Sequence, residues 1–240
     1  MDLRRRLCAE WLGTALLLAT VVGSGIMAER LCGGNIGLAL LANAIATGGG
    51  LIALILTFGG VSGAHFNPAV SLAALLRREL SGYEAGLYML VQVLGAFCGV
   101  AAAHGMFGEP LFFASHHIRT GPSQWWSEFI ATFGLLAVIF GCSRSRPEAV
   151  PYAVASYIVS AYWFTASTSF ANPAVTLARA ATDTFAGIRP SDVPSFIAAQ
   201  LVGAGAATVL FGWLLRYRAP LALDLMANAG EDRTARPLQD

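Results

Sequence analysis

Charge is scarce in this chain. Asp, Glu, Lys and Arg together make up 12% of 240 residues, and lysine is absent altogether. A soluble domain carries about a quarter charged residues. With mean hydropathy at +0.62, this deficit argues against a soluble fold and for a membrane protein. A net charge of +1 leaves no case for a nucleic-acid surface. Metal chemistry is also poorly served. The cysteines, Cys8, Cys32, Cys98 and Cys142, are scattered without ligand spacing, and most sit in apolar runs where cysteine acts as a small hydrophobe. No disulfide framework or metal site is expected, and His116-His117 reads as a solvated loop pair.

What is present is long apolar sequence. Six segments, about 7–28, 36–59, 84–107, 126–143, 149–167 and 192–216, have the length of membrane spans. The first has a basic start, as a cleaved secretory leader would. Its apolar run is too long for a leader and other spans follow, so it reads as an uncleaved transmembrane helix. Two shorter segments, about 67–77 and 172–182, cannot cross a bilayer and read as re-entrant helices. With six spans, Arg4, Arg5, Arg6, Arg77, Arg78, Arg144, Arg146, Arg216 and Arg218 fall on one side, against Arg30, Arg119 and Arg189 on the other. The positive-inside rule then puts both termini in the cytoplasm. A single membrane domain over 1–218 is expected, with 219–240 as a cytoplasmic tail.

The chain also repeats itself. "AEWLGT" at 9–14 matches "SEFIAT" at 127–132, "FNPAVSLA" at 66–73 matches "ANPAVTLA" at 171–178, and "QVLGA" at 92–96 matches "QLVGA" at 200–204, in the same order. Each half, about 5–107 and 125–216, holds three spans and one short segment. An odd number of spans inverts the second half relative to the first, an architecture that places functional sites at midplane. Glu10 and Glu128 occupy equivalent places inside spans. A carboxylate there must be paired or hydrogen-bonded. It is either an ion relay or a support for loop backbone that lacks helical partners. The symmetry favours support, as it does for Gln92 and Gln200.

The two short segments start alike, at Asn67-Pro68-Ala69 and Asn172-Pro173-Ala174. Asparagine caps a helix, and proline suits the first helical position. Non-helical backbone in a membrane must be buried or line a watery cavity. Inversion lets the two starts meet near midplane. Each helix start carries about half a positive charge, so the meeting point repels cations while the amides of Asn67 and Asn172 donate to passing oxygens.

With those motifs in order, "AEWLGT", "SGAHFNPAV", "SEFIATFG" and "ANPAVTLA", the chain resembles the aquaporin, or major intrinsic protein, family over about 5–216. The resemblance implies an all-α membrane protein: a right-handed bundle of six transmembrane helices plus two re-entrant half-helices, built as an inverted repeat. It also implies one pore per subunit, a homotetramer in the plasma (inner) membrane, no cofactor and no enzymatic activity. The family's filter arginine lies three residues after the second Asn. Here that residue is Val175. The other filter positions, counted by the family's offsets, fall on Thr47, Ser160 and Ser169. Such a ring is expected to be wide and uncharged. Arg179, one turn beyond Val175, reads either as a displaced filter arginine in the outer vestibule or as an arginine snorkelling at the interface, and the second is preferred. His65 reads as a pH gate or as loop support, and support is preferred.

These readings point to a passive channel for small neutral solutes: water and larger molecules such as glycerol, urea or arsenous acid. The alternatives are a water-selective channel narrowed by other side chains and a secondary transporter. The latter would need ion-coordinating residues at midplane, where only Glu10 and Glu128 are on offer.

Overall fold

The computed structural model describes residues 1–215, so the expected tail at 219–240 lies outside the described residues. The described chain is helical. Its elements are α1 (Leu3–Leu31), α2 (Ile36–Ser62), α3 (Pro68–Leu76), α4 (Gly82–Phe107), α5 (Pro122–Ser145), α6 (Val150–Phe164), α7 (Pro173–Arg179) and α8 (Val193–Leu214). Five of these, α1, α2, α4, α5 and the segment containing α8, are long and apolar enough to cross a membrane.

The fifth expected span is shorter than its apolar run suggests. Helix α6 has 15 residues and ends at Phe164, a length of about 22 Å at 1.5 Å per residue. Past it, the chain leaves the helix and turns through Thr165–Thr168. The Ala166 amide is caught by Ser127 Oγ at 3.1 Å.

Packing relations recur between the two halves. Helix α1 packs on α2 and α4, as α5 packs on α6 and α8. Small residues set the close crossings. A Cβ at Gly95 or Gly99 of α4 would run into the carbonyl oxygens of Trp11 or Ala15 on α1, and one at Gly203 of α8 would meet that of Phe129 on α5. Without a hydrophobic drive between helices in lipid, such backbone approaches supply the association. Because the obstacle is backbone, Gly203→Ala must push α8 off α5. Overpacking costs about 1–3 kcal/mol, so the detergent-solubilised variant is expected to melt several degrees lower. An unchanged melting temperature would show that the α5–α8 crossing tolerates a methyl group.

Candidate functional site

The two short helices begin as the Asn-Pro pairs dictate. Asn67 Oδ1 accepts from the Ala69 amide at 2.9 Å. Asn172 Oδ1 accepts from Ala174 at 3.0 Å and Val175 at 3.3 Å. Each asparagine side chain also crosses to the other half. Asn67 Nδ2 donates to Ala171 O and Asn172 Nδ2 to Phe66 O, both at 2.8 Å. The two helix starts therefore face each other. Pro68, Ala69, Pro173 and Ala174 are buried in the first turns behind them.

The loops leading into the asparagines are strained in the same way. Ala64 and Phe66, three and one residues before Asn67, have φ of 49° and 48°; Ser169 and Ala171, three and one before Asn172, have 52° and 49°. Such left-handed non-glycine residues cost about 1–3 kcal/mol each and persist only where surroundings impose them. The imposing groups are the buried glutamates. Glu10 accepts from the amides of His65 (3.0 Å) and Phe66 (2.7 Å), from Ser62 Oγ (2.6 Å) and from Gln92 Nε2 (2.8 Å). Glu128 accepts from the amides of Phe170 and Ala171, both at 2.9 Å, and from Gln200 Nε2 at 2.6 Å. Both carboxylates are fully buried. His65 pairs through Nδ1 with Ser71 Oγ at 3.1 Å and lies against the Tyr88 ring.

A cavity of about 670 Å³ runs past both asparagines. At one end it reaches Arg77 and Arg144, and at the other Thr47, Val175 and Arg179. The walls between are mostly apolar. Thr47, Ser169, Val175 and His65 line it, but neither Glu10 nor Glu128 does.

Two expectations need correction. Ser160 is not in the cavity wall. It is exposed, and its hydroxyl bonds back to Ser156 O at 2.9 Å. Two residues on a helix are about 200° apart, so the cavity position goes to Tyr162, whose hydroxyl lies 3.2 Å from Thr47 Oγ1. Nor is the Arg179 end uncharged, and Arg179 does not snorkel. It is 3% exposed, its guanidinium centre sits 3.4 Å from the Phe170 ring centroid, and its Nε donates to Ala186 O. Arg119 packs on the same ring at 5.2 Å and bonds to Gly187 O at 2.8 Å. Sequence reasoning missed Tyr162, Arg119 and Phe170. Helix α6 also carries Tyr152, Ser156, Tyr157 and Ser160, so the sequence held no signal that singled out Tyr162.

Spanning helices around a cavity with two capped helix starts at its middle define a membrane protein built for passage of solutes. A profile described as Major intrinsic protein matches residues 1–159. The Aquaglyceroporin AqpS of Rhizobium meliloti (strain 1021) is 54% identical over 220 residues, 92% of this chain and 94% of that protein. Aquaporin PIP2-4 of Oryza sativa subsp. japonica is 36% identical over 169 residues, covering 62% of this chain and 57% of its own. The X-ray structure of the aquaglyceroporin from Plasmodium falciparum shares the fold at a TM-score of 0.65 and 22% identity, over 93% of this chain and 100% of that one. The chain belongs to the major intrinsic protein family, whose members are channels and not enzymes.

Proposed function

We propose that the chain is a passive channel for small neutral solutes, both water and larger ones of the glycerol, urea or arsenous acid kind. The observation that carries this reading is the cavity that passes both asparagines, where two short helices start face to face. The relative at 54% identity is named an aquaglyceroporin, which supports the solute class. The absence of both glutamates from the cavity lining speaks against a proton-coupled transporter, because their oxygens are committed to loop amides.

The same proposal includes the finer architecture. The halves are inverted copies, α3 and α7 are re-entrant half-helices in a right-handed bundle, residues 1–218 form the membrane domain, and four chains assemble in the plasma membrane with both termini cytoplasmic. The matched packing of the halves and the matched strained loops support the repeat, and the helix starts that face each other support its inversion.

Stopped-flow light scattering on liposomes holding the purified protein tests the function. Glycerol, urea and arsenous acid are each expected to enter faster than into empty liposomes. Movement of water alone would replace this reading with the water-selective one, and flux that saturates and follows a proton gradient would replace it with the transporter.

A further inference from the structure

The end of the cavity away from Val175 is cationic too. Arg77, which closes α3, and Arg144, in the last turn of α5, both line it. The two come together on one helix face. The Arg77 guanidinium centre lies 4.5 Å from the Phe140 ring centroid. Phe140 and Arg144 are four residues apart on α5, so they share a face. Each guanidinium is also held by a carbonyl or carboxylate oxygen. Arg77 Nε donates to Glu79 Oε1 at 2.7 Å, and Arg144 Nη1 donates to Leu215 O. Among the described residues, no acceptor takes a hydrogen bond from either Nη of Arg77.

The charge at this end is not balanced. Glu79 is the one carboxylate among the described residues that line the cavity, against two guanidinium groups here. Its side chain is 56% exposed and that of Arg77 33%, so water weakens the field of the acid more than that of the base. The positive-inside rule asks only for arginine on this side of the membrane. It does not ask that one be laid on an aromatic ring in the wall of a cavity, a turn away from a second.

We propose that Arg77 and Arg144 form a binding site for a small oxyanion of the phosphate or sulfate class, and that an anion held there obstructs this mouth of the cavity and slows solute flux. The two end nitrogens of Arg77 present a planar fork that matches two oxygens of one anion. Stacking on Phe140 and the bond to Glu79 fix that fork before the anion arrives, which lowers the cost of ordering it. Arg144 adds a second positive charge one turn along the same face. Ser143, which lines the same end, brings a hydroxyl. Because both arginines stand in the cavity wall, the ligand is a free ion and not a lipid headgroup. Binding at the arginines is independent of what the cavity conducts, whereas the effect on flux rests on the reading that the cavity is the permeation route.

The test uses the full-length protein and inorganic phosphate, with chloride at matched ionic strength as the reference. Binding is read by titration calorimetry in mild detergent, where no lipid headgroup competes. Glycerol entry is read by stopped flow on liposomes with phosphate on both faces. Wild type is expected to bind phosphate at millimolar concentration and to pass glycerol severalfold more slowly in phosphate than in chloride. Arg77→Gln and Arg144→Gln are each expected to lose the binding heat and the difference between the two buffers. Arg77→Lys keeps the charge without the fork, so binding severalfold weaker than wild type is expected. No binding heat in wild type, or equal heat in wild type and Arg77→Gln, would overturn the site. Binding with no slowing would overturn the obstruction. If Arg144→Gln fails to fold, Arg77→Gln decides by the same readouts. A wild-type protein that binds phosphate yet moves no glycerol in either buffer would instead sink the channel reading and leave the anion site standing.

Discussion

Replacing Glu10 by alanine is expected to abolish most of the folded protein. Glu10 is the acceptor for four donors, and two of them, the amides of His65 and Phe66, belong to loop backbone with no helical alternative. Each stranded donor costs about 1–3 kcal/mol. The left-handed turns at Ala64 and Phe66 would also lose the group that imposes them. Against a typical total stability of about 5–15 kcal/mol, this is a large share. Fluorescence-detected size exclusion in mild detergent should show aggregate in place of the wild-type peak. Glu10→Gln keeps one carbonyl oxygen, so an intermediate yield is expected. A Glu10→Ala protein with wild-type elution and melting temperature would mean that the loop holds its shape by other means.

The second large effect concerns selectivity. Val175→Arg is expected to cut glycerol entry by at least about tenfold, equivalent to about 1.4 kcal/mol on the barrier, and to affect water much less. Val175 is 6% exposed and lies in the cavity wall between Asn172 and Arg179. An arginine there fills space on the path and sets a second guanidinium one turn from the first. Water needs less width than a three-carbon polyol, so it is the solute least affected. Stopped-flow measurements of both solutes on one preparation check the split. Equal entry of glycerol through the variant and the wild type would show that residue 175 does not face the narrow part of the route.

Most of the local structure was legible because it is written locally. An asparagine followed by proline specifies a helix start whatever surrounds it, and the starts of α3 and α7 fall where those pairs predict. The places of Glu10 and Glu128 followed from the repeat, since the same residue recurs ahead of the same loop. The filter was harder to read. Counting back from Asn172 to Ser160 assumes a fixed path through the connection, but α6 stops at Phe164 and the chain then turns. A shift of two residues moves the position to the other side of the helix. The role of Arg179 was hidden for a different reason. Its burial depends on Ala186 folding back over it and on Ser115 clasping Ala180, contacts between segments that no sequence period encodes.

The crossed bonds at the asparagines also bear on how the protein is made. Asn67 emerges early, but its side-chain partner, Ala171 O, lies 104 positions later. Glu128 in turn waits for Gln200 on the last described helix. A nascent chain stopped after its first half would hold an amide and a carbonyl, on Asn67 and Phe66, with their eventual protein partners not yet synthesised. The crossed centre is therefore completed only once the second half has been made, and the support of its loop only with the last described helix.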